Sequence, residues 1–355
     1  MRGDLSWRRG FLAALSCAAA GAVLASALVP RPAAFAAPPH CAALAGEGAG
    51  YGAVHFANAC AASVQPALEL EMARLHSFEA SVGRFEAVAK RDPSCAIALW
   101  GAAMTARGNP LGGSLGAADL ATGRRLIDRA LALHAGGPRE KSLIGAMDVY
   151  YRPYSDQIAR ARAYADVMDA VHAAYPEDPD IAALDGLAII EGVDLADKTY
   201  ARQKRAGAIL EAVMAAHPDH PGAPHYLIHA YDYTALAPLA THAAEVYPTL
   251  APGSGHAQHM PSHIWSMLGA WDKSILANRR SGAAYEPASR DRPVAGDIVY
   301  THAFDFIAYA RLQRGEDARV AADLAALRDE APTVVLARYP LERGDWTGAM
   351  AVPAD

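Results

Sequence analysis

The residues best equipped for chemistry are histidines, and they recur at matched places in two successive stretches. HPDHPGAPHYLIHAYD puts His225 and His229 four residues apart. GHAQHMPSHIW puts His259 and His263 four residues apart, with His256 one turn earlier. Four residues is just over one helical turn, so each pair occupies one helix face. The pairs are offset by 34 residues. Imidazole is the commonest protein ligand for zinc, copper and iron, and two histidines at i and i+4 can hold one ion from a single helix. Packed helices lie about 8–10 Å apart, a gap that two such side chains span, with nitrogen–metal distances of about 2.0–2.1 Å. The expectation is a divalent transition metal (zinc, copper or iron) held by His225, His229, His259 and His263. These make a four-nitrogen cage, or a three-histidine site with one position open. His256 and His302 are further candidate ligands. Asp232, close behind His229, and Asp305, close behind His302, are candidates for the carboxylate that orients a ligating imidazole; Asp305 is also a possible fifth ligand. The competing reading of the same face is a polar groove for a peptide or protein ligand, or histidines hydrogen-bonded within tight packing.

Other residues read more plainly. His217 and His220 sit in an HPDHP turn and suit helix capping. His242 falls on a second helix, outward or within the stack. His76 reads as a packed or capping histidine, with a contribution to the groove from a distant repeat left open. Gly253-Ser254-Gly255 begins a helix, where free N–H groups either hold an anion or form an ordinary turn. Tyr226, Trp265, Trp100, Tyr231 and Tyr309 read as core by spacing, with one or two available to wall a pocket. No HExxH or phosphate-binding GxxxxGK[ST] string occurs, so the motif-borne zinc-hydrolase and nucleotidase readings lack support.

The elements that position these side chains are helices. Beyond residue 64, apolar residues recur at three- and four-residue spacing, and breaks fall at Pro, Gly and Asp. The spacing predicts helices over 65–78, 80–91, 94–107, 117–134, 138–151, 156–175, 179–191, 197–216, 222–233, 235–247, 255–269, 271–284, 296–313, 316–329 and 331–341. An insertion over 286–297 weakens the register that would start a further repeat at Thr301. Little β-branched alternation suggests strands. Prolines punctuate the helix ends, as at Pro93, Pro179, Pro218 and Pro252.

The 34-residue offset is the period of the tetratricopeptide repeat, and residues 64–350 resemble its helix–turn–helix unit. More narrowly, LHSF (Leu75 to Phe78), DPSCAIALWGAAM (Asp92 to Met104), HPDHPGAPHYLIHAYD (His217 to Asp232) and HMPSHIWSMLGAWDKS (His259 to Ser274) are similar to a family of bacterial tetratricopeptide-like proteins of unassigned activity. The resemblance implies an all-α fold, an α-solenoid of helix pairs wound as a right-handed superhelix. In such repeats the second, fifth and ninth positions of each first helix line the concave face, which places the histidines named above in one groove. Members continue with further repeats. The GDW at 344–346 looks like the start of another second helix, so the expectation is a shortened chain or a frayed cap.

The first 36 residues carry the marks of an export signal. Arg8 and Arg9 precede an Ala/Leu/Val run from Phe11 to Val29, and Ala34-Phe35-Ala36 fits a small-x-small cleavage site. SWRRGFL resembles a twin-arginine signal with Trp7 between the serine and the arginines; the alternatives are an ordinary secretory signal or an uncleaved anchor. The twin-arginine route exports folded proteins and so allows a metal to be loaded before export. The expected organisation is a signal over 1–36, an extension over 37–63 and the solenoid over 64–355, periplasmic or secreted. The signal carries four arginines against one aspartate. A net of +3 is thereby removed from a chain of −6, leaving 319 residues at −9. That acidity argues against a nucleic-acid partner, and no later apolar run is long enough to span a bilayer. Of the three cysteines beyond the signal, Cys41 and Cys60 are expected to pair in an oxidising compartment, and Cys95 to be a small buried apolar residue.

Overall fold

The computed structural model describes residues 50–112, 115–289, 293–327 and 333–353. The expected signal and Cys41 lie outside them. Within the described residues the chain is helical and contains no strand. Two helices, α1 (Gln65–His76) and α2 (Val82–Arg91), precede a run of helix pairs. These are α3 (Ala96–Ala106) with α4 (Ala117–Ala132), α5 (Pro138–Tyr150) with α6 (Gln157–Ala174), and α7 (Pro179–Glu191) with α8 (Ala201–Ala216). Next comes α9 (Gly222–Ala230) with α10 (Thr241–Leu250). The following first helix is divided into α11 (Gly255–His259) and α12 (Pro261–Met267), paired with α13 (Trp271–Ser289). Then follow α14 (Pro293–Gln313) with α15 (Asp317–Leu327), and α16 (Thr333–Glu342) with α17 (Trp346–Met350). Consecutive helices pack on one another, and first helices stack on first helices, as in α3 on α5, α7 on α9, α9 on α12 and α14 on α16. This is a tetratricopeptide-like α-solenoid.

Local chemistry accounts for the helix starts. Asp156 accepts the Ala159 N–H at 2.8 Å to cap α6, and Asp178 accepts the Ile181 N–H at 3.0 Å to cap α7. Pro179 occupies the first turn of α7, where its missing N–H costs nothing. Packing between helices uses small residues. A Cβ on Gly207 would fall 2.0 Å from the Tyr231 hydroxyl, and one on Gly123 would fall 1.9 Å from the Tyr151 ring. In both places a tyrosine following one helix lies flat on a helix of the pair before it. Leu187, Ile190, Leu210, Tyr226, Ile228 and Ile264 are buried together and form the apolar bed for α9 and α12.

Three expectations require correction. The helix expected over 255–269 is broken at Met260, because Pro261 has no N–H to continue the i→i−4 ladder. The insertion expected over 286–297 is taken up largely as helix: α13 runs to Ser289 and α14 begins at Pro293. Cys60 pairs with Cys95, not with Cys41. Burial alone made Cys95 look inert, but the α2–α3 turn brings it onto the segment preceding α1.

One tie departs from simple stacking. In a solenoid each repeat touches its neighbours, yet α1 also packs against α9. The Tyr247 hydroxyl donates to Ser77 Oγ at 3.1 Å, and the Ser254 hydroxyl donates to Glu79 at 2.9 Å. Gly222, at the start of α9, permits this approach: a Cβ there would sit 2.4 Å from His76 Nδ1. His76 is fully buried and has no room to retreat. Gly222→Ala is therefore expected to destabilise the protein by about 1–3 kcal/mol, the usual cost of overpacking. Urea denaturation checks it; an unchanged midpoint would show that α1 does not bear on α9 in solution.

Candidate metal centre

The solenoid brings six histidines from four helices together as two triads. Helix α9 carries His225 and His229, α11 carries His256 and His259, α12 carries His263 and α14 carries His302. In the first triad, His225 Nε2 lies 3.2 Å from His229 Nε2 and 2.9 Å from His256 Nε2. In the second, His259 Nε2 lies 2.9 Å from His263 Nε2, and the His302 ring centre is 4.7 Å from that of His259. Within each triad the candidate ligand nitrogens all fall within 4.8 Å of one another. The single cage of His225, His229, His259 and His263 is not the grouping formed. Each i, i+4 pair is completed by a third histidine: His256 from the next first helix and His302 from the one after.

The hydrogen bonds behind the rings settle which nitrogen carries a proton. His225 Nδ1 is 2.5 Å from the His76 carbonyl, His259 Nδ1 is 2.6 Å from Asn278 Oδ1, and His263 Nδ1 is 2.8 Å from Asp232 Oδ2. Asn278 Nδ2 donates to the Ser274 carbonyl at 2.9 Å, which turns Oδ1 toward His259. All three partners are acceptors, so all three Nδ1 atoms are donors. A neutral ring then presents a bare lone pair at Nε2. His259 and His263 therefore face each other with two lone pairs at 2.9 Å. Such a contact needs an electron-pair acceptor between the nitrogens, either a proton that makes one ring an imidazolium or a metal ion. Two nitrogens bound at about 2.0–2.1 Å, at angles from square to tetrahedral, are about 2.9–3.4 Å apart, which matches the His225–His256, His225–His229 and His259–His263 pairs.

A nearby cluster of the same residue types behaves differently. Asp180 lies between His76 and His220, all three buried. The Ala223 N–H donates to His220 Nδ1 at 3.3 Å, so Nε2–H is free to donate to Asp180 Oδ1 at 3.2 Å. His76 Nε2 donates to the same oxygen at 3.3 Å, while its Nδ1 accepts from the Tyr226 hydroxyl at 3.1 Å. Every donor there meets an acceptor. Burial opposes ionisation of Asp180, but the hydrogen bonds from His220 and His76 outweigh it and hold the carboxyl below its usual range. His220 thus plays the capping role expected of its turn. His76 reaches the triads through its carbonyl and not its ring.

Burial, followed by the repulsion of neighbouring rings, lowers the basicity of His225, His229, His256, His259 and His302. His225, His229 and His259 are held well below the ordinary imidazole value, and His256 is brought down to about 3. His302 shifts the same way for the same reasons. The neutral form that results is the one that binds metal.

Two phenylalanines wall the triads. Phe78 packs its ring 4.5 Å from His225 and 5.7 Å from both His229 and His256, measured between ring centres. Phe306 lies 5.1, 4.9 and 5.0 Å from His259, His263 and His302. Phe78 has φ = 55°, a left-handed conformation that costs a bulky residue of the order of 1 kcal/mol, and the surrounding packing holds it there.

Asp232 takes the orienting role expected of it, behind His263, and its second oxygen, Oδ1, is buried without a partner. Asp305 does not back an imidazole: Arg338 grips both its oxygens. The two aspartates, His263, Phe306, Tyr309 and Arg338 line a cavity of ≈ 270 Å³ beside the second triad. At the start of α11 the anion is the chain's own, since Glu79 accepts the His256 N–H at 3.0 Å. Sequence reasoning missed Phe78, Phe306, Asn278 and Glu79. The LHSF string contains Phe78, but nothing in the spacing ties that string to the histidines so far along the chain; His76 and His225 are 149 residues apart.

No protein-family model matches the chain, and no curated protein matches it. A solved structure of the TPR domain of P58(IPK) is similar over 81% of this chain and 91% of that one, at 14% identity and a TM-score of 0.24. So loose an overlap carries no argument. The repeat architecture rests on the order and stacking of the helices.

Because the buried rings titrate below the unfolded value near 6.5, the unfolded chain binds more protons than the folded one between that pH and the folded values. The stability of the metal-free protein is then full above 6.5 and declines as pH falls toward 3, by about 1.4 kcal/mol per pH unit for each ring in its window. Urea denaturation after chelation, at about pH 7.5 and pH 5.5, is expected to show a loss of a few kcal/mol that His256→Asn makes shallower. Equal stability at the two pH values would mean the rings are not buried as neutral groups.

Proposed function

We propose that this chain is an exported helical-repeat protein that binds transition-metal ions through its two histidine triads and acts as a metalloenzyme. The observation that carries the reading is the pair of opposed lone pairs on His259 and His263, whose Nδ1 protons are committed to Asn278 and Asp232. Of the two electron-pair acceptors that such a contact admits, burial disfavours the imidazolium at His259, which favours the metal ion. All-imidazole donors suit zinc, copper or iron, and not the oxygen-seeking magnesium or calcium. Three ligands leave a position open in a four-coordinate ion, which supports Lewis-acid or redox work on a small molecule.

Several features accompany this reading. The export signal legible in residues 1–36 agrees with the Cys60–Cys95 disulfide, since disulfides persist in oxidising compartments. Among the described residues no helix is long and apolar enough to cross a membrane. The rival is a non-catalytic scaffold holding a peptide or protein in the groove, the commoner use of such repeats. It fits the triads less well: His225 is 0% and His259 1% exposed, so neither offers a peptide much to touch.

The test is metal analysis of untagged protein after incubation with zinc, copper or iron and dialysis. Wild type is expected to retain metal and to lose melting temperature on chelation. His263→Ala is expected to lose the ion of its own triad while keeping full helicity. Asn278→Ala, which removes only the acceptor behind His259, is expected to weaken metal binding by about 10–100-fold. Wild type that stays metal-free, with a melting curve indifferent to added ions, would overturn the proposal in favour of the scaffold.

A further inference from the structure

We infer that the two triads are halves of one dinuclear centre, whose ions share a single small anionic ligand, hydroxide in the resting state. The inference rests on the metal-binding reading above and deepens it. Its first support is distance. The His229 and His263 ring centres are 6.3 Å apart, as are those of His256 and His259. Within the first triad, His229 and His256 are 6.1 Å apart. The other same-triad pairs are closer, at 4.7 to 5.8 Å, but the two triads adjoin with no further shell of residues needed to span the 6.3 Å between their nearest rings.

A second support is the way the halves are joined. His256 and His259 are three residues apart on α11, the first serving one triad and the second the other. Neither triad can be repositioned without moving its neighbour. Each half has one phenylalanine against it, Phe78 on the first and Phe306 on the second.

Charge supplies the third support. Neither triad includes a carboxylate among its candidate ligands. The nearby acids are turned to other partners: Asp232 to the back of His263, Glu79 to the His256 N–H and Ser254 hydroxyl, and Asp305 to Arg338. Two divalent ions held only by neutral imidazoles concentrate four positive charges in one site. Such a site draws an anion from solution, and one anion between the ions lowers the repulsion more than one bound to either alone. Water supplies it. An oxygen lone pair binds each ion, one O–H bond breaks with its electron pair kept by oxygen, and the proton leaves to bulk water. Coordination to metal makes this loss accessible near neutral pH.

The test uses copper(II) as the probe metal on untagged, full-length protein, with weakly bound copper removed by dialysis. The expected result is two coppers per chain with nearly all of the electron paramagnetic resonance signal missing, because a shared ligand couples the two spins. Azide is expected to titrate to one equivalent per copper pair as it displaces the bridge. His302→Ala, at the exposed edge of the second triad, is expected to halve the copper content and to restore the signal of one isolated ion. Two coppers with full signal, or two azides per pair, would show independent ions and overturn the inference while leaving metal binding intact. One copper per wild-type chain would do the same. No copper, with zinc and iron also refused, would overturn the metal-binding reading itself.

Discussion

The structure of the centre depends on the acceptors behind the imidazoles. The His76 carbonyl, Asn278 Oδ1 and Asp232 Oδ2 each take an Nδ1 proton and so aim the opposite nitrogen inward. A ring with two free nitrogens can turn over; one hydrogen-bonded at Nδ1 in a packed site cannot without leaving a buried donor unmet, at about 1–3 kcal/mol. These acceptors come from α1, α13 and the end of α9, none of which carries the ring it orients. The helix stack supplies the ligands, and the contacts between stacked elements supply their orientation.

The α1–α9 tie extends the same logic. The last residue of α1 delivers a carbonyl to His225, and the segment after it delivers the Phe78 ring to the first triad and the Glu79 carboxylate to the start of α11. To do so Phe78 adopts a backbone conformation that its side chain disfavours. The Tyr247–Ser77 and Ser254–Glu79 hydrogen bonds and the glycine at 222 hold the segment down. Strain of this kind, at a residue facing the three histidines of the first triad, is where a fold gives up stability for the geometry of a site.

Two buried clusters of similar composition thus diverge in character. Around Asp180, donors and acceptors alternate, and the cluster serves as a hydrogen-bonded part of the core. Between His259 and His263, acceptor meets acceptor. Residue type and burial are shared; the direction of each lone pair is not. A count of histidines and acids would have ranked the clusters together, whereas the proton inventory separates them.

Much of this was legible in the sequence. Apolar periodicity and proline punctuation marked nearly every helix, because helix formation answers to local spacing and caps. The i, i+4 pairs and their 34-residue offset singled out His225, His229, His259 and His263, because equal phase on stacked first helices places side chains on one face. The partition into triads was not legible. It turns on the helix break at Pro261 and on how α9, α11, α12 and α14 rest on one another. The Cys60–Cys95 pairing, the engagement of Asp305 by Arg338 and the entry of Phe78 were also hidden. Each joins segments far apart in the chain or set by how one helix rests on another. Spacing along a chain determines which face a residue occupies; only the packing of faces decides which atoms meet.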